Sequence, residues 1–257
     1  MIHPTAIIDP KAEIGEGVEI GPYSVIEKDV IIGEGTKIGP HVVIREGTRI
    51  GKRSHIFQFS SIGEAPQNFT YKGEKTYLLI GDQNIIRESV TLHRGTVPGG
   101  GKTIIGNGNF FMAYSHVAHD CNIGNHVVMA NGATLGGHIL IEDYAIIGGL
   151  VAIHQFCRVG IHAFIGGFTG VQLDIPPYML AAGGRAKLFG LNTVGLKRNH
   201  FSEETLKALK KAYRVIFRSG QTMEKAVKQV KEDSIFQIPE VQHLLQFIQN
   251  SKRGICR

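Results

Sequence analysis

Tryptophan is missing from this 257-residue chain and cysteine occurs only three times. No unbroken apolar run approaches the ~18 residues that a membrane span needs. An odd, small number of thiols excludes a disulfide-built secreted scaffold and fits a reducing compartment. Charged residues make up only 19% of the chain, which argues against a disordered, self-repelling polymer. Met1-Ile2-His3-Pro4 enters the structured pattern at once with no secretory leader, so a cytoplasmic setting is expected and Asn68-Phe69-Thr70, a formal glycosylation sequon, reads as chance. What the chain does have is glycine, 33 residues of it, beside an ordinary apolar content of 42%. Many short strands joined by tight turns would use such a composition.

The net charge of +6 is unevenly placed: residues 185–257 hold fifteen Lys/Arg against six Asp/Glu, whereas residues 1–184 hold thirteen against sixteen. A basic end can attract nucleic acid, an acidic membrane or an acidic protein. It lacks the interleaved aromatics of a nucleic-acid surface, so no nucleic acid is expected, and with no apolar run of spanning length no stable membrane insertion is expected either.

The dominant feature is a period of six. Ile2, Ile8, Ile14, Ile20, Ile26, Ile32, Ile38, Ile44, Ile50, Ile56 and Ile62 form an unbroken isoleucine series. Four residues after each stands a small or β-branched residue, such as Ala6, Ala12, Val18, Ser24 or Thr36. The frame resumes at Ile80, Ile86 and Leu92. It then shifts by one residue and runs from Ile105 through Phe111, Val117, Ile123, Met129 and Leu135 to Val171. Such hexads resemble those of left-handed parallel β-helices, where three make one triangular coil. No single hexad can bury its apolar side alone, and stacking makes one continuous core. Residues 1–177 are therefore expected to form an all-β left-handed parallel β-helix of hexapeptide repeats. The two interruptions, near 64–79 and 98–104, would be external loops. Past Pro176-Pro177 the hexads stop. Ser202 with Glu203-Glu204 opens a helical pattern, Thr222 caps another, and a third runs from Ile238 to Ile248. Residues 178–257 are expected to form a C-terminal α-helical domain.

The first and fifth positions of each hexad face inward, and none of the twelve histidines occupies one. Residues 18 apart stack in a column. His119, Gly137 and Gln155 thus align, with the glycine leaving a gap between two polar side chains. Counted across the second loop, His93, Ala118, Gly136 and His154 form the adjacent column; Asp120 and His138 share a third, and His116 stands just before them. Several imidazoles and a carboxylate around small residues make a candidate site, with a neutral imidazole as the natural general base for a hydroxyl proton. Cys121 and Cys157 sit at inward positions and offer no nucleophile. Asn131, Gly149 and Gly167 form a separate column whose glycines leave a groove along the axis. Thr96 to Thr103 nearly spells a phosphate-binding loop, but Thr96 replaces the first glycine and the strand-to-helix context is missing, so it reads as an external loop.

Several longer stretches carry a specific resemblance: Ile86-Arg87-Glu88-Ser89-Val90-Thr91-Leu92-His93-Arg94-Gly95-Thr96, His116-Val117-Ala118-His119-Asp120-Cys121, His154-Gln155-Phe156-Cys157 and Gly195-Leu196-Lys197-Arg198. Over essentially its whole length the chain resembles the bacterial UDP-N-acetylglucosamine O-acyltransferases of lipid A biosynthesis. The resemblance implies direct transfer of a 3-hydroxyacyl chain from acyl carrier protein to the 3-position of UDP-N-acetylglucosamine, in a homotrimer with sites between subunits. It implies His119 as general base, Asp120 as its orienting carboxylate and the Gly137 N–H as an oxyanion donor. His93, His116, His138, His154, Gln155, Asn192, Arg198 and Asn68 would contact substrate, and Gly149 and Gly167 would line the acyl chain. No cofactor and no metal are implied. Asn68, Thr70 and Asn199 depart from the residues usual in that family. The basic C-terminal region would meet the acidic carrier protein. Two other readings are a zinc-dependent carbonic anhydrase of the same fold, whose ligand spacing His116 and His119 do not reproduce, and a non-catalytic trimeric scaffold.

Overall fold

The computed structural model describes residues 1–257. Most strands are only two residues long and each pairs in parallel with the strand one coil away, as in Val25–Ile26 with Val43–Ile44. The strands form three sheets, the faces of a left-handed triangular prism. The first face has nine strands, from Ile7–Ile8 to Gly170–Val171, and the second has eight, from Glu13–Ile14 to Arg158–Val159. The third starts at Glu19–Ile20. The hexad isoleucines fill the interior, with Ile44, Ile56, Ile62 and Ile86 fully buried. Fifth-position hydroxyls turn back on the backbone instead of staying orphaned: Ser24 Oγ donates to Gly39 O at 2.7 Å and Thr36 Oγ1 to Gly51 O at 2.9 Å. Buried polar groups must be paired in this way.

Most hexads end in a turn whose fourth residue adopts a left-handed backbone, as at Asp120 (φ 62°), His126 (φ 55°), His138 (φ 59°) and Phe156 (φ 67°). Non-glycine residues pay roughly 1–2 kcal/mol for that conformation, a cost offset by the ladder it allows. Its geometry also puts every fourth-position side chain on an edge of the prism, stacked on those of neighbouring coils.

The two external loops, residues 65–76 and 94–101, leave after Ser61–Glu64 and after Thr91–His93. Both replace the corner between the first and second faces, on successive coils.

Between the hexads and the helices lies an antiparallel pair, Met179–Ala182 with Lys187–Leu191, which extends the third face. The region expected to be helical from residue 178 thus begins with strands, because the open top of the third face offers unpaired backbone groups. Helices α1 (Thr193–Arg198), α2 (Glu203–Arg218), α3 (Met223–Glu232) and α4 (Pro239–Gln249) follow. Ser202 and Thr222 cap α2 and α3 by accepting from the N–H groups of Thr205 and Lys225, the interaction that favours such residues at helix starts. Arg158 lies over the ring of Phe247 at 4.0 Å, and His243 Nε2 is 2.8 Å from Glu142, tying α4 to the prism.

Candidate functional site

The edge between the first and second faces collects the candidate residues. Strand register superposes Leu92, Val117, Leu135 and Ile153, so the side chains two and three positions beyond stack as the spacing predicts. The rings of His119 and His138 meet edge-on at 5.2 Å, and His138 stacks on Phe156 at 4.6 Å. His93 and His116 meet edge-on at 4.8 Å.

At the centre, His119 Nδ1 lies 2.7 Å from Asp120 Oδ2. That carboxylate is fully buried. It also accepts from Thr96 N at 2.7 Å and from Thr96 Oγ1 at 2.6 Å, while Asp120 N donates to Thr103 Oγ1 at 2.8 Å. A carboxylate whose lone pairs already receive other donors makes His119 Nδ1 the proton bearer, which leaves Nε2 as a base. Gly137 completes the arrangement. A Cβ there would lie 2.7 Å from Cε1 and 2.9 Å from Nε2 of His119, so only glycine lets the imidazole lie against that backbone. The Gly137 N–H donates to no acceptor in the chain.

Two of the surrounding imidazoles, His93 and His116, are biased toward the neutral form. Burial, reinforced by the neighbouring His116, pushes His93 down to about 4. Burial and the adjacent His119 lower His116 as well, and its Nδ1 lies 2.7 Å from Thr91 Oγ1. His93 Nδ1 is buried without a partner, so an incoming polar group would find it unsatisfied. Atoms of His119, Asp120 and His138 lie within 4.8 Å of one another, a spacing a metal could bridge. The bonds from Thr96 and His119 already occupy that carboxylate, an arrangement suited to orienting the imidazole. Neither core thiol is a nucleophile: Cys121 is buried and pushed up to about 12, and burial also raises Cys157.

His154 and Gln155 are exposed on the same edge, one coil beyond Gly137. Asn68 lies in the first external loop, where its Oδ1 accepts from the N–H and the hydroxyl of Thr70 at 3.0 and 2.9 Å. Other candidates stand elsewhere. Gly149 and Gly167 superpose with Asn131 on the edge between the third and first faces, where a Cβ on Gly167 would meet Gly149 O at 3.2 Å. Asn192 is buried beside the remaining edge. Its Oδ1 accepts from Gly195 N at 3.1 Å and its Nδ2 donates to His162 O at 3.0 Å. The residue expected to touch a nucleotide thus spends its amide on starting α1, which carries the exposed Arg198.

Thr96, Thr103 and Phe156 join the site without having been expected there. Thr96 lies in the second external loop and Thr103 in the strand that follows it; the sequence marked them only as the two ends of a near phosphate-binding stretch. Gly99 shows how closely the loop folds down, since a Cβ there would lie 2.0 Å from the Asp120 carboxyl carbon.

Comparison with known proteins follows the same division. Residues 174–256 match the family model for the second domain of UDP-N-acetylglucosamine O-acyltransferase, and residues 29–64 and 102–137 match the bacterial transferase hexapeptide model. The chain is 57% identical over 256 residues to an acyl-[acyl-carrier-protein]–UDP-N-acetylglucosamine O-acyltransferase of Thermodesulfovibrio yellowstonii, covering all of this chain and 99% of that one. Among solved structures it resembles the UDP-N-acetylglucosamine O-acyltransferase LpxA of Moraxella catarrhalis (45% identity, TM-score 0.96, 100% and 99% of the two chains). It also resembles LpxA, a UDP-N-acetylglucosamine acyltransferase from Bacteroides fragilis (41% identity, TM-score 0.97, all of both chains).

Proposed function

The chain belongs to the acyl-[acyl-carrier-protein]–UDP-N-acetylglucosamine O-acyltransferase family, and from that membership we propose that it moves a 3-hydroxyacyl chain from acyl carrier protein to the 3-position of UDP-N-acetylglucosamine, in lipid A biosynthesis, by direct attack. The observation that carries the mechanism is the 2.7 Å contact between His119 Nδ1 and the clamped Asp120 carboxylate. His119 Nε2 takes the proton of the acceptor hydroxyl as its oxygen bonds to the thioester carbon. The carbonyl electron pair moves to oxygen, where the Gly137 N–H donates to it. Collapse breaks the carbon–sulfur bond, and the departing thiolate takes the proton back from His119. Ester and thiol result, with no acyl-enzyme, in keeping with the buried thiols. His116, His138 and Gln155 would hold the sugar and pyrophosphate, with His93, His154 and Asn68 lining the site.

The distribution of candidate residues over three edges supports a homotrimer. One copy presents the His119 cluster, the Gly149–Gly167 groove and Arg198 on different sides of the prism, so neighbouring copies must supply the rest of each site. The basic helices suit an acidic carrier protein. Three free thiols go with a cytoplasmic setting.

Acyl transfer measured with UDP-N-acetylglucosamine and a panel of carrier-protein thioesters tests this reading. His119→Ala should lower kcat by roughly 10²–10⁴, while binding of the nucleotide sugar changes little, because proton removal matters in the transition state. Near-normal turnover would remove His119 from the role of base.

A further inference from the structure

Beyond the last helix the chain turns back onto the prism, and its anchor is Asp174, fully buried. Oδ1 of Asp174 accepts from Arg158 N at 2.8 Å and Oδ2 from Ser251 Oγ at 2.7 Å. Its N–H donates to Gly254 O and its carbonyl accepts from Cys256 N, both at 2.9 Å. Asp174 and Ile255 form a parallel bridge, and Cys256, itself buried, donates from Sγ to Ala186 O at 3.1 Å. Residues 251–256 are thus held as a short addition to the hexads, close to the histidine edge. Lys252 and Arg253 share with His138 and Phe156 the lining of a cleft of 690 Å³.

Arg253 spends its guanidinium on two acceptors. Nε donates to Gln172 O at 2.9 Å, and Nη2 lies 2.8 Å from His154 Nδ1. A guanidinium has donors only, so His154 Nδ1 must offer its lone pair and the proton of the neutral ring sits on Nε2. His154 Nδ1 also lies 3.2 Å from Gln155 O, a contact that would require the opposite tautomer. The guanidinium contact is shorter and cannot reverse its polarity, so it prevails.

We infer that Arg253 is a positioning residue that fixes His154 as an Nε2–H donor, ready to bond an acceptor oxygen of the nucleotide sugar. This rests on the reading of His154 as a lining residue of the substrate site. Without the guanidinium, Gln155 O would favour a proton on Nδ1, and Nε2 would then present a lone pair to that same oxygen.

Two measurements on the full-length enzyme separate the claims. In enzyme carrying ¹⁵N-histidine, with His154 assigned by the signal lost in His154→Asn, Nδ1 should show the shift of an unprotonated nitrogen. In Arg253→Leu it should move toward the protonated form, and Arg253→Lys should restore it. In parallel, Arg253→Leu should raise KM for UDP-N-acetylglucosamine about 10-fold or more, the range for a hydrogen bond to a charged group. kcat should change far less, and lysine should recover most of the loss. A protonated Nδ1 in the wild type, or a spectrum unmoved by Arg253→Leu, overturns the inference whatever the activity. A moved spectrum with unchanged KM removes His154 from substrate binding, and the inference fails there, while the role of His119 stands on its own assay.

Discussion

His93 shows how a single residue can couple the site to stability. Its position points outward from the hexad, yet it is only 4% exposed because it lies between Glu64 and His116 of the adjacent coils. Its folded-state pKa of about 4 lies below the ordinary 6.5, so between those values the unfolded chain binds the extra proton. The stability is present above pH 6.5 and is lost as pH falls toward 4, by at most on the order of 3 kcal/mol. Thermal midpoints taken at pH 7 and pH 5 should therefore fall more steeply for the wild type than for His93→Gln. Equal slopes would mean the imidazole is not held neutral by burial. Gly167 makes a second residue-scale case. A Cβ there would already sit 3.2 Å from Gly149 O, tighter than ordinary contact, so a longer side chain must project outward along that edge, where we propose the acyl chain runs. Gly167→Met should shift the preferred donor to a 3-hydroxyacyl chain shorter by about one coil rise, ~4.8 Å or some four methylenes. KM for the nucleotide sugar should hold. An unchanged chain-length profile in a folded variant would show that the groove carries no acyl chain.

Among the elements, the second external loop has the clearest task, since it delivers Thr96 to both oxygens of Asp120. Thr96→Val keeps the shape and removes one bond to a buried carboxylate, an uncompensated loss of about 1–3 kcal/mol. We expect kcat to fall about 10-fold or more with KM for the donor little changed; an unaltered kcat would reduce the loop to a cover. The hexads themselves were legible in the sequence because an inward aliphatic every six residues is a local rule repeated without exception until the loops. The column arithmetic that brought His119, Gly137 and Asp120 together needed only that rule. Thr96 was not legible, since its contact depends on how a glycine-rich loop closes. The strand pair Met179–Ala182 and Lys187–Leu191 has no hexad period to announce it. Asn192 carried a readable signal, a capping residue just ahead of a helix, which the likeness to a nucleotide contact obscured. Arg253 acts through a residue 99 positions away, and no local pattern encodes that.

At the scale of the whole molecule, charge and shape are divided. Basic side chains crowd the helices, but they are not equally free: Lys211 pairs with Asp233 at 2.5 Å, while Lys210 and Arg214 are exposed with no ion pair. Lys210→Ala with Arg214→Ala should raise KM for the carrier-protein donor at low salt. The difference should close as ionic strength rises and exposed charges are screened beyond ~8 Å; a salt-independent KM would leave these residues as a solvated surface. The return of residues 251–256 to Asp174 bears on how the chain is made. A coil touches the next over about 18 residues, as Val25 pairs with Val43, so contacts can form one after another as the chain leaves the ribosome, N-terminal coils first. Asp174 waits for a partner 77 residues later in Ser251. The prism can be wound while Arg253 is still inside the ribosome. If Arg253 sets His154, a nascent chain with every histidine of the edge in place still holds its sugar nucleotide weakly, and full affinity waits until residue 253 has emerged and docked on the prism.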